Sequence, residues 1–238
     1  MFDTQQMPSS TGSAAVAAHT AAPFSPALLS PDLLERIGVS SLTSADAGVL
    51  PVPPPLASLF PGGGLRRGST ITVSRSPSLV LALVAPVSRR PGWCAEVGSP
   101  LLGSAAAAEA GVVLERFVRV AEPGVQWATV VASLLEAFDL VVVHPPARAS
   151  QGDMRRLTAR ARERSAVLLV AGEWEGASVG LAVTRQCWHG LGAGHGFLQT
   201  REVEVQSLGR GAAARPQRVR VWLPGVGGSV SAARESAA

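Results

Sequence analysis

Lysine and tyrosine are absent from this chain of 238 residues, and all 21 of its basic side chains are arginine. Without an ammonium side chain there is no Schiff-base nucleophile, no lysine general base and no lysine to hold a phosphate. Aromatic residues make up only 5 % of the sequence. The two cysteines, Cys94 and Cys187, are too few and too far apart for a disulfide framework, and read as reduced, partly buried thiols. The longest apolar run, Leu79 to Val87, covers less than half of a membrane span. The opening MFDTQQMPSSTGS lacks the basic start and apolar core of a secretory leader. These absences set the expectation of a soluble, cytoplasmic protein with no membrane partner.

What is present is a substantial apolar fraction, 47 %, enough for one sizeable core. Residues 1–27 are Ala, Ser, Thr and Pro with few large side chains, the composition of a disordered tail. Residues 28–55 read as a short helix, capped by Ser30 and Pro31 and running to about Ile37, and then a Pro-rich linker, Pro51 to Pro55, outside any helix or sheet. A core over 56–223 follows. A glycine-rich turn leads to a strand at Thr70–Val73, and Ser76-Pro77 opens a helix. Strands at Trp93–Val97, Phe117–Val120, Leu140–Val143 and Ala166–Val170 alternate with helices at 104–110, 125–137 and 152–164. Short β-branched runs of this kind are buried on both faces of a parallel sheet. After residue 180 the pattern is strands only. Val203 and Val205 alternate with polar residues, as do Val219 and Val221, which predicts an antiparallel hairpin closed by the segment from Gly209 to Gln217. Residues 224–238 read as a flexible tail.

Leu56-Ala-Ser-Leu-Phe-Pro-Gly-Gly-Gly-Leu-Arg-Arg-Gly68 resembles the segment that leads into the nucleotide strand of RecA. Phe138-Asp-Leu-Val-Val-Val-His144 resembles the strand that ends in the Walker B carboxylate. The resemblance implies an α/β fold: a RecA-like, doubly wound, mostly parallel sheet with a C-terminal antiparallel hairpin. Within that superfamily, Ala182-Val-Thr-Arg-Gln-Cys-Trp-His-Gly-Leu-Gly192 and the hairpin ending Trp222-Leu-Pro224 are similar to the ImuA-prime branch of mutagenesis accessory proteins. That resemblance implies work in the SOS response to DNA damage, in translesion synthesis. The implied partners are an ImuB-like polymerase adaptor and, through it, an error-prone DNA polymerase and the sliding clamp.

The nucleotide chemistry of such a fold is missing. A P-loop wraps phosphate in glycine N–H groups, reaches it with Lys and holds magnesium with a hydroxyl. The corresponding segment, Val73-Ser-Arg-Ser-Pro-Ser-Leu79, has neither glycine nor lysine, so Ser74, Arg75, Ser76 and Pro77 form a degenerate Walker A. His144 stands where the Walker B carboxylate belongs, and Gly98 or Ser99 where the family places its catalytic Glu; Glu96 falls within the strand. The expectation is therefore no enzyme, no cofactor, no metal and no catalytic residue. Cys187-Trp188-His189 with His195 matches no zinc spacing, and Ser76, His144 and Asp139 have the wrong order along their strand for a triad. His144 reads as a capping or packing residue.

Candidate partner or DNA contacts are Arg155, Arg156 and Arg160 on the basic helix, and Arg210, Arg215, Arg218, Arg220 and Trp222 on the hairpin. Trp93, Trp127 and Trp188 read as core or sub-surface anchors, and Trp174 as the exposed contact aromatic. Three functions remain open at this point. One is the mutagenesis adaptor. The second is a SulA-like inhibitor of the division GTPase FtsZ, a family that also resembles RecA without a P-loop. The third is a divergent ATPase or single-stranded-DNA-binding recombination accessory. Self-association is compatible with all three.

Overall fold

The structure, a computed structural model, describes residues 48–233 apart from Arg75, 100–101 and 193–194. The expected tail at 1–27 and the helix near Ser30 lie outside the described residues, as do 234–238.

β1 (Val49–Leu50) pairs antiparallel with β2 (Leu65–Arg66) in a small separate ladder. The chain then alternates as expected for an α/β domain: β3 (Thr70–Ser74), α1 (Pro77–Ser88), β4 (Cys94–Val97), α2 (Ser104–Glu109), β5 (Phe117–Val120), α3 (Trp127–Leu134), β6 (Leu140–Val143), α4 (Gln151–Glu163) and β7 (Val167–Ala171). Four further strands close the sequence: β8 (Val179–Gly192), β9 (His195–Gly209), β10 (Gln217–Trp222) and β11 (Ser231–Ala232). One sheet takes the order β11-β10-β9-β8-β3-β7-β6-β4-β5. β8 through β5 in that order run parallel, and β9, β10 and β11 add antiparallel.

Strand period divides the core in two. Leu140, Val142, Val167 and Leu169 pack on the side of α1, and Val141, Val143, Leu168 and Val170 on the side of α3 and α4. Burial on both faces accounts for the unbroken β-branched runs. α1 is buried along most of its length, from Leu79 through Val87, in one core cluster with the sheet and with the chain before β3. The Pro-rich segment belongs to that cluster and lies against β10. Leu50, Val52, Leu56 and Leu59 are buried, and Pro54–Leu59 forms a 3-10 helix with proline in its first turn. The folded body thus begins before Leu56, because prolines that cannot join a ladder can still open a helix and bury their neighbours.

The far end also differs from expectation. Ser231 pairs with Trp222 and Ala232 with Val221, so a strand occupies part of the segment read as a flexible tail. Small residues let that strand lie flat against β10. Among the described residues no helix is long and apolar enough to cross a membrane.

Candidate functional site

The site that a RecA-like sheet offers lies at the carboxyl ends of β3, β4 and β6. At the first of these, Ser76 caps α1, its Oγ accepting the Leu79 N–H at 3.4 Å. Pro77 contributes no N–H. Ser78 Oγ accepts from the guanidinium of Arg201, which comes from β9. Arg201 also donates Nε to the Leu223 carbonyl at 2.8 Å and reaches Gln186 Oε1 at 3.3 Å. Burial pushes its pKa below the usual guanidinium value. The helix N-terminus that would receive phosphate is thus occupied by the chain's own hydroxyls, a proline and a cation. Of the expected degenerate Walker A residues, Arg75 lies outside the described residues.

At the ends of β4, β5 and β6, side-chain parity assembles a network that the sequence reading passed over. Cys94 and Phe117 point to the α1 side, as do Leu140 and Val142, so Glu96, Arg119 and His144 follow on that same side. Glu96 is only 2 % exposed. Its carboxylate accepts from Arg119 Nε at 3.0 Å and faces His144 Nε2 at 3.0 Å. Arg119 donates a second bond to the Ser99 carbonyl at 3.0 Å. His144 therefore packs, as expected, but against an acid. The signal available in the sequence was an acid inside an otherwise apolar strand, since a buried carboxylate demands a partner. Gly98, one of the two positions where the RecA resemblance puts a catalytic Glu, has φ +84°, and a Cβ there would stand 2.6 Å from the His144 carbonyl oxygen. A side chain at Gly98 has no room.

Asp139 lies at the opposite end of β6 from His144, bound to Arg67 at 2.7 Å and to the Trp93 N–H at 3.1 Å, so it forms no triad with Ser76. Cys94 is wholly buried. That burial, with the charge of Asp139 adding to it, pushes its thiol pKa far above the ordinary range. Cys187 is exposed, contrary to the expectation of a partly buried thiol, because β8 runs out beyond its neighbours.

The arginine candidates separate into two groups. On α4, Arg160 pairs with Glu136 and Glu163, and Arg156 with Asp153. Arg164 also reaches Glu136, and Arg155 is exposed. Much of this helix's basic face is therefore engaged within the molecule. Arg210 and Arg215, in the connection between β9 and β10, and Arg218 and Arg220 on β10 are all exposed. Arg220 lies 3.7 Å from Glu204. Trp222 is half-buried, its ring edge-on to His189 at 4.9 Å. These four arginines and Trp222 share the C-terminal hairpin and its connection; Arg155, Arg156 and Arg160 do not join them.

Two tryptophans exchange their expected roles. Trp174 is 7 % exposed, its indole N–H bonded to Thr158 Oγ1 at 3.0 Å, because the loop after β7 folds back on α4. Trp188 is 43 % exposed, on the outer part of β8 where, among the described residues, only β9 pairs with it. Trp127 is buried and Trp93 partly so, as anchors should be.

A model of the MT3502 N-terminal domain matches residues 58–176. A Mycobacterium tuberculosis protein called uncharacterized protein Rv3395c is 35 % identical over 163 residues, which span 67 % of this chain and 77 % of that protein. The crystal structure of the RadB recombinase superposes with a TM-score of 0.55 at 13 % identity, covering 75 % of this chain and 96 % of RadB. At that identity RadB bears on the fold alone, which is RecA-like.

Proposed function

Because this chain belongs to the MT3502 N-terminal domain family and carries a RecA-like fold, we propose that it is a non-catalytic adaptor of DNA-damage-induced translesion mutagenesis. Its partner in this reading is an ImuB-like polymerase adaptor, and through that protein an error-prone polymerase and the sliding clamp. The observation that carries the reading is the filled nucleotide corner. Ser76, Pro77 and the Arg201–Ser78 contact occupy the phosphate end, and Glu96 is spent on Arg119 and His144. A RecA-like sheet without a phosphate seat keeps its value as a rigid platform. The strands added after β8 then hold a partner near its site of action, and the gain is effective concentration.

The test is affinity purification of the tagged chain from DNA-damaged cells, beside a variant with Arg215→Glu and Arg218→Glu on the exposed terminal hairpin. Recovery of a polymerase-type adaptor, reduced in the variant, is the expected result. Recovery of the division GTPase in its place would favour the SulA-like alternative and overturn the adaptor reading. Nucleotide binding by the purified chain would return the divergent-ATPase reading.

A further inference from the structure

Between α1 and α2 the surface opens into a cavity of about 260 Å³, lined mainly by Leu81, Ala82, Leu102, Ala106 and Leu223. That volume is below the roughly 300–1,000 Å³ of pockets that enclose a whole small molecule, and suits one apolar side chain. The turn after β10 forms part of the wall. Gly228 in that turn lies so close to the Glu109 carbonyl that no Cβ fits between them, so the turn is pressed against the end of α2. Glu109 is the one charged residue among the described lining, and it is exposed.

Arg201 stands at the edge formed by Ser78 and Leu223. Its guanidinium donates to the Ser78 hydroxyl and the Leu223 carbonyl, and its backbone exchanges bonds with Leu223 and Pro224. It is half-buried, and all its acceptors, Gln186 Oε1 included, are neutral. The part-buried Arg67 and Arg119 each pair with a carboxylate, Asp139 and Glu96 respectively. Among the described residues Arg201 has no such partner, and burial alone lowers its pKa. A cation drawn out of water without a counter-charge calls for an anion from outside. Arg201 also covers Trp188, with 5.3 Å from guanidinium to ring centroid, and that ring is exposed. Register puts both on the α1 side of the sheet, since Trp188 pairs with Arg201 as Gln186 pairs with the buried Val203.

We infer that this strip receives an extended segment of a protein partner, with an apolar side chain in the cavity, a carboxylate on Arg201 and a second apolar side chain over Trp188. Alternate side chains of an extended segment lie on one side about 6.6 Å apart, so the three fall at every second position. Glu109 repels the acid from the α2 wall and leaves Arg201 as its seat. A small carboxylate would fill the cavity and leave the Trp188 face open. The strip lies on the face opposite Arg218 and Arg220, and it rests on the adaptor reading only for the identity of the partner.

The full-length chain is panned with a phage-displayed library of random nonapeptides, and the most enriched peptide, fluorescein-labelled, is titrated by anisotropy. The expected result is enrichment of Asp or Glu two positions from an apolar residue, with binding that weakens as salt rises. Exchange of that acid for its amide, Ala106→Trp and Trp188→Ala should each weaken binding by about tenfold. Ala106 and Trp188 are exposed, so both variants keep the core intact, and the exchange in the peptide spares the structural bonds of Arg201. Absence of enrichment, enriched peptides without an acid, or binding indifferent to Ala106→Trp overturns the inference. Equal competition from 4-phenylbutyrate, which would mark a small-molecule site, or from ADP overturns it as well. If the peptide binds while the affinity purification yields no polymerase adaptor, the site stands and the adaptor reading falls; the opposite pair of results strikes the site alone.

Discussion

Cys94 makes the chain's response to alkali unusually simple to interpret. The folded state keeps its thiol protonated far past the ordinary value of 9.0, whereas the unfolded chain releases that proton. A raised folded pKa gives stability that is complete below pH 9 and is lost as pH rises above it. The slope should be about 1.4 kcal/mol per pH unit. Lysine and tyrosine, which ordinarily titrate over the same range, do not occur here. Urea unfolding at stepped pH should show this limb, and Cys94→Ala should flatten it. The same burial predicts that a thiol reagent counts one cysteine, Cys187, in the native protein and two after unfolding. At the other buried titratable position, Glu96→Ala should cost about 2 kcal/mol in urea unfolding. That is less than for a wholly buried pair, because Arg119 and His144 keep some contact with water. Gly98→Ala should also destabilise, by about 2 kcal/mol, since it combines a left-handed backbone with a collision against a carbonyl oxygen.

Among the elements, the contact between β9 and α1 has the clearest consequence. Arg201 joins Leu223, Gln186 and Ser78 and covers Trp188, so Arg201→Ala should cost about 2 kcal/mol through lost charge-assisted bonds. Arg201→Lys should restore little of it, because an ammonium lacks the rigid planar fork with which the guanidinium reaches several acceptors at once. Thermal unfolding of the two variants checks both statements. None of this contact was legible in the sequence, where Arg201 and Ser78 stand 123 positions apart. The elements themselves were. Leu140–Val143 and Val167–Ala171 declare themselves by β-branched runs that only a doubly covered strand tolerates. The alternation of Val203 and Val205 with polar neighbours marks the hairpin equally well. Trp174 and Trp188 were misjudged because local polarity indicates exposure only when no other element returns to cover the ring. Thr158 covers Trp174, and β8 carries Trp188 past the last strand that might have covered it.

For the whole molecule, the terminal strands belong to the fold. Val203, Val205, Val221 and Leu223 lie in the same core as α1. Removal of residues 200–238 should therefore yield an insoluble or unfolded chain, with lost circular-dichroism signal and no cooperative melt. Point variants on the exposed face are the sound way to probe a partner. The hairpin is legible in the alternation of its valines, but its dependence on the body is not, since core membership is a property of distance and not of pattern.

The uneven distribution of arginine has one more consequence. Residues 184–222 hold an excess of four positive charges, as many as the chain's whole net charge. Attraction to a polyanion should therefore fall mostly on this stretch and weaken as salt screens it.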